Sequence, residues 1–139
     1  MKKENLIEIL RINYNGIVCP FIDNPDLDIR ELQHTGWLLI VTNKLDARND
    51  NIELYIKKNG DRFIISDDCY ILNELFYIDS HKDSQKQNKI DRIIQKYDLK
   101  INEYDNYSHH ICSDHKDISK SIDDFVNAIL EIEEVINNE

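Results

Sequence analysis

Glycine is scarce in this chain, with only Gly16, Gly36 and Gly60 among 139 residues, and no two of them are close in sequence. A phosphate-cradling loop or a dinucleotide fingerprint needs clustered glycines to bring backbone N–H groups onto an anion, so both are excluded. Cysteine numbers three, an odd count, and Cys19, Cys69 and Cys112 form no Cys-x-x-Cys pair. A disulfide scaffold is therefore not expected, and the thiols are expected to stay reduced. No run approaches the roughly 18 apolar residues of a membrane span. The first residues, Met1-Lys2-Lys3-Glu4-Asn5, precede an apolar segment interrupted by Glu8 and Arg11, which does not fit a secretory leader. A cytoplasmic location is the resulting expectation. Alanine is limited to Ala47 and Ala128, whereas Ile, Asn, Asp and Lys abound, a bias of AT-rich coding sequences in low-GC bacteria and their phages.

Basic residues are also in short supply. The chain has 17 Lys and Arg against 27 Asp and Glu, for a net charge of −10. Residues 98–139 carry 3 basic and 11 acidic side chains, net −8, so most of the excess sits in the C-terminal third. Such a surface repels phosphate backbones, and direct nucleic-acid binding is not expected. It suits docking on a basic surface of another protein, although solubility alone accounts for the same composition.

Length and composition fit one domain spanning 1–139. Leu6, Ile7, Ile9, Leu10 and Tyr14 define an amphipathic helix over residues 3–13, closed by Asn15-Gly16. A short strand at Ile17–Cys19 and a turn at Asp23–Asp26 follow. Strands are expected at Gly36–Thr42 and, from the alternation of Ile52, Leu54 and Ile56 with polar neighbours, over residues 52–57. Asn59-Gly60 marks a hairpin returning through Arg62–Ile65. Asp67 or Asp68 is placed to cap a helix carrying Ile71, Leu72, Leu75 and Phe76. Residues 79–88 read as a surface loop. Ser84 and Gln87 have capping-box spacing before a helix with Ile90, Ile93, Ile94 and Tyr97 on one face. Leu99–Tyr104 and Tyr107–Cys112 read as a further hairpin or a strand and loop, and Ile118 to Ile136 as a long terminal helix. Strands in the middle with helices outside them predict an α+β fold: a small, mostly antiparallel sheet packed with about four helices.

The middle of the chain carries an ordered set of motifs: Thr42-Asn43-Lys44-Leu45-Asp46, then Asp50-Asn51-Ile52-Glu53-Leu54-Tyr55-Ile56, then Gly60-Asp61, then Ile65-Ser66-Asp67-Asp68-Cys69. By pattern and spacing this segment resembles a bacterial and phage domain family of unknown function, numbered 1828 among such domains. Its members read approximately T-P-F-x-D, D-x-I-x-I-Y-V, a Gly-Asp turn and L-T-D-D-G. The likeness extends over about residues 36–136 and implies a phage, prophage or mobile-element context but no reaction. Two steps depart from the pattern. Asn43-Lys44 replaces Pro-Phe, and Cys69 replaces the glycine after the double aspartate, which puts in doubt any role of a special backbone angle there.

Three groups of residues could carry chemistry. Asp46, Asp50, Asp67 and Asp68 could converge to hold Mg²⁺ for phosphodiester hydrolysis, or could simply shape a turn and cap a helix. His109, His110, Cys112 and His115 are zinc-ligand types, with His110 and Cys112 on one strand face, but structural zinc usually draws on two ligand pairs. Asp123, Asp124, Glu131, Glu133 and Glu134 on the terminal helix form the candidate partner-binding set; the late acids oppose the helix dipole unless a cation sits nearby. No Ser-His-Asp arrangement has a supportable spacing, and no cofactor is expected. The leading expectation is a non-enzymatic, acidic interaction protein of phage or mobile-element origin, acting as an inhibitor of a host nucleic-acid-binding defence protein of anti-CRISPR or anti-restriction type. It would occupy a basic surface on that host protein, with self-association open. The alternative is a metal-dependent hydrolase or nuclease built on the four aspartates.

Overall fold

The computed structural model describes residues 1–13, 19–71, 84–102 and 108–137. Helix α1 (Lys3–Asn13) has Glu4 in its first turn and Arg11 in its last, matching the helix dipole at both ends. Its Leu6, Ile7 and Leu10 are buried. A one-turn helix, α2 (Pro25–Asp28), starts where Asn24 accepts from the Asp26 amide and Pro25 fills the first helical position. This turn leads directly into β1 (Ile29–Glu31), a three-residue strand with no repeating pattern that could have announced it.

Strands β2 (Leu38–Leu45), β3 (Asn51–Asn59) and β4 (Arg62–Ser66) form a meander, followed by β5 (Lys100–Asn102) and β6 (Ser108–Ser113). All pairings are antiparallel and the order is β1-β2-β3-β4-β6-β5. The fold is thus α+β, with the six-stranded sheet and the helices the periodicities imply. The β3–β4 register pairs Asn59 with Arg62, which puts Gly60-Asp61 at the tip. Gly60 has φ +64 there, a conformation that glycine adopts without steric penalty.

Burial alternates along the strands. Leu38, Ile40, Thr42, Ile52, Leu54, Ile56, Phe63, Ile65, Ile111 and Ser113 face inward and are buried. Leu39, Val41, Tyr55, Lys57 and Ile64 face the other way and keep partial exposure. The inner face is covered by α1 and the long α4 (Ile118–Asn137), which contacts α1, β4 and β6, and α3 (Ser84–Lys96) packs against α4. Ile118, Ile122, Phe125, Val126, Ile129, Ile132 and Ile136 supply the buried side of α4. No described helix is long and apolar enough to cross a membrane.

The helix expected after Asp67-Asp68 begins at Tyr70 and Ile71. Leu72, Leu75, Phe76 and most of the expected 79–88 loop lie outside the described residues. So do Tyr14, Asn15-Gly16, Ile17 and Val18, and the 103–107 part of the second hairpin.

Candidate functional site

A cleft of about 530 Å³ opens at the end of β2, β3 and β4, lined by Arg30, Val41, Asp46, Asp50, Glu53, Tyr55, Asp67, Asp68 and Tyr70 among others. The four aspartates singled out in the sequence therefore share one cavity wall. Their carboxylates differ sharply in what they do.

Asp46 closes the β2–β3 connection. Its Oδ1 accepts from the Arg48 and Asp50 amides at 2.8 and 3.0 Å, and its backbone N–H donates to the Asp50 carbonyl. Its Oδ2 accepts from the Tyr70 hydroxyl at 3.0 Å. Glu133, only 6% exposed on α4, reaches the same hydroxyl at 3.1 Å and accepts from the Ala47 amide. The Tyr70 hydroxyl, with one proton to donate, thus stands within hydrogen-bond distance of both carboxylates. The result is a clasp joining α4, the 46–50 turn and the start of the helix at Tyr70.

Asp67 is the capping residue. Its carboxylate accepts from the Cys69 and Ile71 amides at 3.1 and 2.9 Å and from the His109 amide of β6 at 2.9 Å. Burial nevertheless pushes its pKa up to about 6, because desolvation of the charged form outweighs the hydrogen bonds from Ile71, His109 and Cys69. The His109 ring lies beside it, Nδ1 to Oδ2 at 3.8 Å, and is 1% exposed. Neither ring nitrogen has a hydrogen-bond partner among the described residues. Burial, then the charge of His110, lowers the His109 pKa to about 4.

Asp50 and Asp68 are different. Both are exposed, as is Glu53, and none of the three carboxylates accepts a side-chain bond among the described residues. Asp68 and Cys69 adopt φ +50 and +69. Cys69 thus holds a left-handed backbone, which a residue other than glycine adopts at a steric penalty of about 1 kcal/mol. Among the described residues, no three His, Cys, Asp or Glu side chains are arranged to hold a metal ion.

The histidine-rich strand separates its members. His109 faces inward, His110 and Cys112 face the other way, and His115 packs edge-on against Phe63 with ring centroids 4.9 Å apart. Cys19 is buried in the core, where desolvation pushes its thiol up to about 11. All three cysteines are free.

On α4, Asp123, Asp124, Glu131 and Glu134 fall within one stripe of the helix, about 16 Å long, on the side away from the core. Asp124 pairs with Lys120 at 2.7 Å and Glu131 with Lys96 at 3.0 Å; the Asn127 amide donates to Asp123 at 3.0 Å. Glu134 is fully outward. Glu133 leaves this stripe for the clasp with Tyr70. Its position three or four residues from Ile129 and Ile136 on the apolar face is the signal that marks it as inward.

What the fold and cavity define is a small α+β domain whose acidic side chains divide between an interior frame and two outward surfaces. The chain belongs to the family described as Domain of unknown function DUF1828, whose model matches residues 42–132. That match runs from Thr42 in β2 through most of α4 and includes Asp46, Asp50, Glu53, Asp67, Asp68, Asp123, Asp124 and Glu131, but neither Glu133 nor Glu134. No curated protein and no solved structure matches the chain.

Proposed function

We propose that this protein is a non-enzymatic, acidic docking protein that covers a cationic surface on a partner. The observation that carries this reading is the α4 stripe, where the half-buried Asp123, Asp124 and Glu131 and the exposed Glu134 lie on one side of the helix. The two stripe carboxylates with lysine partners use ion pairs that are at least partly solvated, and exchanging such a pair for an intermolecular one has little free-energy penalty. A groove that grips nucleic acid is the basic surface best suited to this stripe, because Lys and Arg that bind phosphate also bind carboxylates. A host defence protein of that kind is the proposed partner class, and a phage or mobile element the proposed source.

The test is salt dependence. A complex captured from the native host and held at about 50 mM salt is expected to dissociate at about 500 mM, where the screening length falls to about 4 Å. Retention at the higher concentration would refute electrostatic docking.

A second reading, metal-dependent hydrolysis, draws on the shared cleft position of Asp46, Asp50, Asp67 and Asp68. Against it, the Asp46 and Asp67 carboxylates each already accept from backbone amides. Calorimetric titration with Mg²⁺ or Mn²⁺ separates the two, since only the hydrolase requires heat of metal binding.

A further inference from the structure

The outer face of the sheet presents a different chemistry from the α4 stripe. None of α1, α3 or α4 covers it, and its half-buried side chains include Trp37, Leu39, Val41, Tyr55 and Ile64. The acidic cleft is adjoined by a recess of about 200 Å³ lined by Leu32, Thr35, Trp37, Tyr55, Ser66 and Asp68. Tyr55 and Asp68 belong to both cavities. An aromatic wall therefore runs between two depressions, with Asp50, Glu53 and Asp68 along the rim and Arg30 as the single basic lining residue among those described.

The face already accepts one cation. The Lys57 ammonium stands 5.6 Å from the centre of the Trp37 ring. The local potential is negative: burial first, then the charges of Asp68 and Glu53, raises the pKa of the Tyr55 phenol above its usual value. Carboxylates with no described side-chain partner beside an aromatic face are the complement of a guanidinium, which stacks on rings while its edge forks to carboxylates. Two depressions sharing a wall suit side chains i and i+2 of an extended chain, about 7 Å apart.

We infer that the outer sheet face binds an extended basic segment of a partner protein, with an arginine side chain entering the cleft between Tyr55 and the carboxylates of Asp50, Glu53 and Asp68. The inference rests on the reading that the partner is cationic, but it places contact at the strand-end cleft and the outer sheet face, away from the α4 stripe.

Trp37 is the sole tryptophan of the chain and reports on this face directly. Titration with a short oligo-arginine peptide is expected to give a saturable change in its fluorescence. The combined variant Asp50→Asn, Glu53→Gln, Asp68→Asn should bind about tenfold more weakly, the sum of three exposed charge contacts. Asparagine tolerates the left-handed angle at position 68, so the fold is expected to persist. The separate variant Tyr55→Leu, which alters no charge, should weaken binding as well. Neutralising Asp123, Asp124, Glu131 and Glu134 should leave the Trp37 signal unchanged. A signal surviving both cleft variants overturns the site. Peptide binding seen by calorimetry without a Trp37 response, and lost in the α4 variant, overturns the site yet keeps the docking function. No heat and no fluorescence change overturns both. The same fluorescence change produced by Mn²⁺ alone overturns the site in favour of an inorganic cation.

Discussion

The buried carboxylates in and behind the cleft and those on the outside of α4 are chemically the same groups in opposite circumstances. Asp46, Asp67 and Glu133 are nearly removed from water and accept from backbone amides or from Tyr70. Glu134 is exposed and Asp123, Asp124 and Glu131 keep partial exposure; the last three meet the side chains of Asn127, Lys120, Lys96 and Tyr97, and only the Glu131 Oε2 atom is buried. Removing an acceptor of the first kind strands buried N–H donors, whereas removing one of the second kind exposes nothing that water cannot satisfy. Depth, more than residue type, separates the acids that hold the fold together from those left to solvent.

The largest expected effect concerns the buried pair. Asp67, raised to about 6, stabilises the fold below its unfolded pKa, and that contribution is lost as pH rises through 6. His109, lowered to about 4, acts in the opposite sense: the native state resists the proton that the unfolded chain takes up, so its contribution falls as pH drops from 6.5 towards 4. Between those limits folding moves one proton from histidine to aspartate with little net uptake, and the two slopes offset each other. His109→Leu removes one slope. Relative to the parent chain, the variant should gain about 3 kcal/mol in urea denaturation as pH falls from 7 to 4. A difference that stays constant with pH would show that the two groups do not titrate as a buried pair.

Smaller, and aimed at the comparison itself, are two neighbours on α4. Glu133→Ala should destabilise by about 2 kcal/mol, because it leaves the Ala47 amide without its acceptor and breaks the clasp at Tyr70. Glu134→Ala, one residue on and exposed, should change stability by less than about 0.5 kcal/mol. Equal losses in thermal melts would erase the distinction between interior and outer acids. The smallest effect is a gain: Cys69→Gly relieves the left-handed strain at φ +69 and should stabilise by about 0.5 kcal/mol, after the added freedom of glycine in the unfolded chain. A loss on that substitution would mean that the thiol side chain contributes more than the angle takes away.

Much of this arrangement was legible in the sequence. The alternation at Ile52, Leu54 and Ile56 and the 3.6-residue period of α4 are direct consequences of one-sided burial, and both elements lie where those patterns put them. Strand β1 was not legible, since Ile29–Glu31 is too short for a period and depends on pairing with Leu38–Ile40. The four aspartates were recognisable as a group, and Asp46 and Asp67 as turn and cap residues. Their division into engaged and outward carboxylates was not, because it depends on Tyr70, Glu133 and His109 arriving from distant elements. Local chemistry announces a turn or a cap; only the assembled sheet and helix decide which oxygens remain open to solvent.

The most direct measurement compares the parent chain with the variant Asp123→Asn, Asp124→Asn, Glu131→Gln, Glu134→Gln in two assays on the same samples. Urea denaturation midpoints are expected to coincide closely, while binding to the captured partner is lost. Undiminished binding by the neutralised protein, or a collapse of its stability, would contradict the assignment of the α4 stripe to docking.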